Sequence, residues 1–75
     1  MPRTEIQNKE LRETTRQKIL NTALILFAEK GYSSTTIEEI AKISKISKGL
    51  VYNHFKSKKH LLNEVIMMLG PALEE

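Results

Sequence analysis

Lysine is concentrated in one segment of this 75-residue chain. Between residues 42 and 60 there are six lysines and no acid, although the whole chain carries a net charge of only +3. These residues are Lys42, Lys45, Lys48, Lys56, Lys58 and Lys59. Concentrated positive charge attracts phosphate and gains free energy when bound counterions are released. The segment therefore predicts a phosphate-bearing partner, with a solvated lysine face as the alternative.

Residue types that support catalysis or metal binding do not occur in usable arrangements. The chain has no cysteine, which excludes disulfide bonds and thiolate zinc sites. His54 and His60 are six positions apart, a spacing that does not place them on one helical face, so we expect no metal site. The sequence also has no Ser/His/Asp arrangement and no glycine-rich phosphate loop. We predict no enzyme and no cofactor.

Length and hydropathy predict one soluble cytoplasmic domain. The longest uninterrupted apolar run covers 23–28, whereas a membrane-spanning helix needs about 20 apolar residues. The first residues lack the apolar core of a signal peptide. We divide the chain into a flexible polar arm (1–14), a helical domain (15–70) and the start of a further part (71–75).

Apolar residues recur at helical spacing in four segments, and no segment alternates with the period of a strand. An all-α fold is therefore predicted, with helices over about 15–30, 36–43 and 47–54 and a fourth after Ser57. Gly31 suits the left-handed position that ends the first helix. Thr36 and Glu39 have the spacing of a capping box, and Gly70-Pro71 is expected to stop the fourth helix.

The second and third helices are short, and the tight turn between them is typical of a helix-turn-helix. In that motif the second helix enters the major groove of DNA. Val51 and Phe55 lie four positions apart and are expected to face the core. Lys48, Gly49, Tyr52 and Asn53 then fall on the open side of the recognition helix at about 47–54.

Basic residues also occupy the first turn of the fourth helix, where Lys58, Lys59 and His60 oppose the helix dipole. Because that end of a helix favours anions, this placement indicates a phosphate nearby. A surface lysine pair of negligible cost is the alternative.

Several motifs resemble the N-terminal DNA-binding domain of TetR-type transcriptional repressors. The similarity runs from about Arg16 to Leu69. It includes Lys30-Gly31-Tyr32, then Thr35-Thr36-Ile37, and it is most specific in the run Ser47-Lys48-Gly49-Leu50-Val51-Tyr52-Asn53-His54-Phe55-Lys56-Ser57-Lys58.

This resemblance implies a homeodomain-like three-helix bundle, with the fourth helix leading to a C-terminal part that lies beyond Glu75. It also implies a homodimer that represses transcription from a palindromic operator in double-stranded DNA. By position, the residues expected at base edges are Lys48, Gly49 and Leu50. Those expected mainly at phosphates are Thr36, Ser47, Tyr52, Asn53, His54 and Lys58.

The chain departs from the family pattern at several positions. Lys45 stands where the family often has a glycine in the turn, and a left-handed lysine costs about 1–2 kcal/mol. Leu50 replaces a frequent threonine, which suggests contact with a thymine methyl group. Lys59 and His60 replace frequent acids, so we expect the capping box of the fourth helix to be lost.

A small helical module that binds another protein is the alternative function. Ile25, Ile43, Met67 and Met68 lie outside the main apolar stripes and are expected to be exposed. A separate, weaker expectation concerns the arm, where Arg3, Lys9, Arg12 and Arg16 could reach the minor groove. Interleaved glutamates favour a solvated arm instead.

Overall fold

The computed structural model describes the backbone of residues 3–73 and the side chains of residues 14–70. Four helices follow one another without a strand in this part of the chain: α1 (Arg3–Lys30), α2 (Ile37–Ser44), α3 (Lys48–His54) and α4 (Lys58–Leu73). Helix α1 packs against both α2 and α4, and α2 packs against α3. The predicted all-α class is confirmed.

The two outer helix boundaries were predicted wrongly. Helix α1 begins at Arg3 instead of near residue 15, and α4 continues through Gly70 and Pro71 to Leu73. A proline removes one backbone donor from a helix, but its fixed φ is compatible with helical geometry. The expectations for the side chains of Arg3, Lys9 and Arg12 lie outside the described side chains.

One apolar core joins all four helices. Helix α1 contributes Ile19, Leu20, Ala23 and Leu26, α2 contributes Ile37, Ile40 and Ala41, and Val51, Phe55, Leu61 and Val65 complete the set. The expectation that Met68 is exposed is wrong, since it packs against the core, whereas Ile66 on the same helix is exposed. Ile25, Ile43 and Met67 are exposed, as predicted.

Two buried hydroxyl groups connect α1 with the residues that follow it. Thr35 is fully buried, and its hydroxyl lies within donating distance of the carbonyl of Leu26 in α1 at 3.3 Å and of the carbonyl of Gly31 at 2.8 Å. The Ser44 hydroxyl donates to Thr22 Oγ1 at 3.0 Å and so connects α2 to α1. Buried polar groups need such partners, and no described buried side-chain polar atom lacks one.

The turn between α2 and α3 is a Schellman motif centred on Lys45. The N–H of Lys45 donates to the carbonyl of Lys42 at 3.1 Å, and the N–H of Ile46 donates to that of Ala41 at 3.0 Å. Lys45 has φ 62°, and it is the only described residue other than glycine with a positive φ. The left-handed conformation considered for this lysine is confirmed, as is that of Gly31 at φ 89°.

Replacing Lys45 by glycine is expected to stabilise the fold. The substitution removes a strain of about 1–2 kcal/mol and adds a backbone entropy cost of about 0.5–1 kcal/mol. A net gain of up to about 1.5 kcal/mol should appear in urea unfolding followed by circular dichroism. Lys45→Ala removes the same charge but keeps the Cβ, so it should bring no gain. Equal stability of the glycine and alanine variants would contradict this account of the turn.

Candidate nucleic-acid interface

The open side of α3 carries polar and small residues because two apolar side chains hold its other side. Val51 is fully buried and Phe55, directly after the helix, is 1% exposed. Lys48, Gly49, Tyr52 and Asn53 are exposed, as their spacing predicts, and we call these four residues the recognition face. Leu50 and His54 are half-buried at its edges.

Thr36 and Ser47, two predicted phosphate contacts, begin α2 and α3 as N-caps. Thr36 Oγ1 accepts from the N–H of Glu39 at 3.1 Å, and Ser47 Oγ accepts from the N–H of Leu50 at 3.0 Å. Both residues are exposed, and in each case the hydroxyl hydrogen remains available for donation to another acceptor. Capping therefore orients both hydroxyl groups without consuming their donor capacity.

The predicted capping box of α2 carries an additional ion pair. The Glu39 carboxylate accepts from Lys30 Nζ at 2.7 Å, which ties α2 to the end of α1. This hydrogen bond is the main reason that the pKa of Glu39 lies below its ordinary value, and the backbone N–H of Thr36 lowers the pKa further. The hydroxyl half of the predicted capping box is therefore confirmed by the bond from the Glu39 N–H to Thr36 Oγ1.

A second ion pair connects α2 with the recognition face. Lys48 Nζ lies 2.5 Å from Glu38 Oε2. Lys48 donates the hydrogen bond that lowers the pKa of Glu38, and the same bond raises the pKa of Lys48. The sequence alone does not reveal Glu38 as the partner of Lys48, because the two residues are ten positions apart and the pairing depends on the fold of the turn.

Lys58 lies at the start of α4 and contacts the segment between α1 and α2. Its ammonium group donates to the carbonyls of Tyr32 and Thr35, both at 2.9 Å, and sits 4.4 Å from the centroid of the Tyr32 ring. An ammonium has three donors, so one remains for a further acceptor. The sequence alone does not reveal Tyr32 as a partner, since no local pattern relates it to Lys58.

The expectation that α4 loses its capping box is wrong, because His60 takes the place of the usual acid. Ser57 Oγ accepts from the N–H of His60 at 3.0 Å, and His60 Nδ1 accepts from the N–H of Lys56 at 2.9 Å. The imidazole therefore takes the role of the carboxylate in an ordinary capping box. The backbone N–H that it accepts from belongs to Lys56, one residue before the cap Ser57.

Arg16 is anchored on α4 rather than extended away from the domain. Its guanidinium donates to Glu64 Oε1 at 2.7 Å and lies 5.4 Å from the centroid of the Phe55 ring. The same Glu64 carboxylate lies 3.7 Å from His60 Nε2, and the His60 ring is 5.7 Å from that of Phe55. These contacts fix the corner between α3 and α4.

The recognition face and the two caps share the helix-turn-helix formed by α2 and α3. Lys58 instead spans from α4 to the α1–α2 segment, and the His54 ring lies 6.2 Å from that of Phe55. Among the described side chains, no group of three potential metal ligands is close enough to hold an ion.

The family is decided by a match that covers most of this helical core. The family model described as bacterial regulatory proteins of the tetR family matches residues 19–65, well over half of the chain. This chain belongs to the TetR family. The resemblance stated from the sequence is thereby confirmed.

Curated relatives of this TetR-family chain are named as regulators. The "HTH-type transcriptional regulator AcrR" of Shigella flexneri is 44% identical to it, over 79% of this chain and 27% of that protein. The "Transposon Tn10 TetC protein" of Escherichia coli is 47% identical, over 68% of this chain and 26% of that protein. The negative transcriptional regulator IcaR of the biofilm operon icaADBC from Staphylococcus aureus is 42% identical, over 71% of this chain and 34% of that protein.

The TetR-family chain thus spans about a quarter to a third of the length of these three relatives. No solved structure matches it at a significant level. No helix in the described part of the chain is both long and apolar enough to cross a membrane.

Replacing Lys58 by methionine is expected to lower the free energy of unfolding by about 1–3 kcal/mol, because two backbone carbonyls lose a charged donor. Urea unfolding followed by circular dichroism measures the effect. Lys59→Met removes the same charge from the next residue, which is exposed and whose ammonium makes none of the described side-chain hydrogen bonds, and should change stability little. Equal stability of the two variants would contradict the structural role assigned to Lys58.

Proposed function

We propose that this chain is a DNA-binding domain that recognises a specific operator by placing α3 in the major groove. The observation that carries the proposal is the recognition face, which is exposed and begins with a lysine, in a chain of the TetR family. Lysine donates to O6 and N7 of guanine in the major groove. Lys48, Gly49 and Leu50 are the residues proposed to contact base edges.

Phosphate contacts are proposed for the residues around this face. Thr36 and Ser47 present hydroxyl donors, Tyr52 presents a phenol and Asn53 an amide, and all four are exposed. The remaining donor of Lys58 and the half-buried ring of His54 are assigned to the edge of the same surface. Such contacts position the helix, whereas contacts with bases determine which sequence is preferred.

Gly49 supports a close approach between the α3 backbone and another molecule. A Cβ built on Gly49 meets no atom closer than Ser47 Oγ at 4.0 Å, so the fold itself leaves room for a side chain. Glycine in a helix is destabilising by roughly 0.5–1 kcal/mol relative to alanine. The cost is explained if a base edge or a sugar-phosphate strand lies against this position.

The biological role proposed for the whole protein is repression of transcription in the cytoplasm. The relatives named above as transcriptional regulators support regulation by DNA binding rather than by catalysis, and IcaR is named as a negative regulator. We further propose that the protein acts as a homodimer on a palindromic operator, with each copy reading one half-site. In that geometry the two recognition helices lie about 34 Å apart, one turn of DNA.

The alternative of a protein-binding module is less well supported. Ile25 on α1 and Ile66 and Met67 on α4 are exposed, but these helices do not carry the recognition face. Ile43 on α2 is exposed as well. The family match and the basic segment both favour DNA, whereas no second observation identifies a protein partner.

Titration of the chain with fluorescently labelled duplex DNA should reveal salt-dependent binding. The affinity should fall with a slope of about −0.9 per phosphate contact between roughly 50 and 200 mM salt, measured by anisotropy. A duplex enriched on the chain from a random library should bind more tightly than a random duplex. Absence of binding to both duplexes at low salt would contradict the proposed function and would favour the protein-binding module.

Gly49→Ala provides a matched variant for the same titration. Because its Cβ fits the free domain, this variant should be at least as stable as the original chain while binding the enriched duplex more weakly. Unchanged affinity would remove Gly49 from the proposed interface.

A further inference from the structure

The Glu38–Lys48 pair places a carboxylate against the first residue of the recognition helix. Both side chains are open to solvent, with Lys48 49% and Glu38 64% exposed, so a ligand could reach either partner. Of the ion pairs among the described side chains, this is the one that involves a lysine of the basic segment 42–60. The other pairs between charged side chains join Arg16 to Glu64 and Lys30 to Glu39.

We propose that Glu38 is a specificity-determining residue, which restrains Lys48 and suppresses binding to DNA of arbitrary sequence more than binding to the operator. This inference rests on the proposed function, in which Lys48 contacts base edges. Glu38 itself need not touch DNA for this effect. Its carboxylate competes with phosphates and bases for the same ammonium group.

The physical basis is the difference between the two kinds of DNA binding. Binding to arbitrary sequence depends mainly on counterion release, which scales with the number of phosphates that the protein neutralises. A lysine whose charge is already compensated by a carboxylate contributes less to that term. The position of Glu38, two residues after Thr36, also brings a negative charge close to a proposed phosphate contact.

On the operator, Lys48 loses less free energy when it leaves Glu38, because it gains new acceptors. A guanine at the correct position offers Lys48 two acceptors, O6 and N7, in place of the Glu38 carboxylate. At other sequences the ammonium leaves the ion pair without gaining such a partner. The carboxylate therefore penalises wrong sequences more than the right one, which raises discrimination at the expense of total affinity.

The charges needed for this competition are stable near neutral pH. The hydrogen bond from Lys48 holds the pKa of Glu38 below the ordinary value of a glutamate. The same bond holds the pKa of Lys48 above the ordinary value of a lysine. Both groups therefore remain ionised in the free chain under physiological conditions. Near neutral pH, the contribution of this ion pair is therefore tested by varying the salt concentration rather than the pH.

The test compares Glu38→Gln with the original chain on the enriched duplex and on a random duplex. Glu38→Gln frees one lysine, so the slope of log affinity against log salt concentration on random DNA should steepen by about 0.9. The ratio of the variant's affinity to that of the original chain should therefore grow roughly threefold when salt is lowered from about 200 to about 50 mM. The preference for the enriched duplex should fall. Glu29→Gln makes the same change in net charge at an exposed residue outside these ion pairs and should leave the preference unchanged.

The Lys48→Gln background shows whether Glu38 acts through Lys48. In that background, adding Glu38→Gln should affect the preference much less than it does in the original chain. Circular dichroism of each variant verifies that the helices are retained. A full effect of Glu38→Gln without Lys48 would overturn the inference and assign the effect to general repulsion of phosphates.

Failure of this inference is distinguishable from failure of the proposed function. If the original chain prefers the enriched duplex but Glu38→Gln leaves that preference unchanged, only the role of Glu38 is overturned. If the original chain binds neither duplex, the proposed function fails and the inference fails with it.

Discussion

The burial of Val51 and Phe55 is the constraint on which the rest of the site depends. Helix α3 has seven residues, and a helix of that length is not stable in water without tertiary packing. Its position is therefore set by these two side chains, which lie in the core formed with α1, α2 and α4. Because they determine the rotation of the helix, they also determine that Lys48, Tyr52 and Asn53 face outward.

Polar contacts at the two ends of α3 complete this arrangement. Before the helix, the Schellman turn at Lys45 sets the angle at which the chain leaves α2. After it, His60 and Ser57 cap α4 while Arg16 covers the Phe55 ring. Lys58 then ties the start of α4 to the segment between α1 and α2. A short helix is thus held rigidly enough to present its exposed side chains in one orientation.

Features governed by neighbouring residues were predictable from the sequence. The caps at Thr36, Ser47 and Ser57 follow from residue type and spacing, and the left-handed Gly31 follows from its place after the last helical turn. The outward side of α3 follows from the four-residue spacing between its apolar residues. In each case the deciding interactions span only a few positions of the chain.

Features that depend on distant residues were not predictable in the same way. The carbonyl partners of Lys58 are more than twenty positions away, and the Lys48–Glu38 pair forms across a turn whose geometry no pattern specifies. The polar sequence before residue 15 carries no apolar stripe, yet the backbone of α1 is helical from Arg3. At the other end, Gly70 and Pro71 are weak helix formers, but they only lower the propensity for a helix and do not forbid it.

We propose that DNA contacts the recognition face together with the start of α2. Amide chemical shifts of the isotope-labelled chain, followed during titration with an enriched duplex, show which residues DNA contacts. We expect the largest shift changes at Thr36 and across 47–54, with small changes at Ile25, Ile66 and Met67. Changes centred on those three exposed apolar residues, with α3 unaffected, would contradict it.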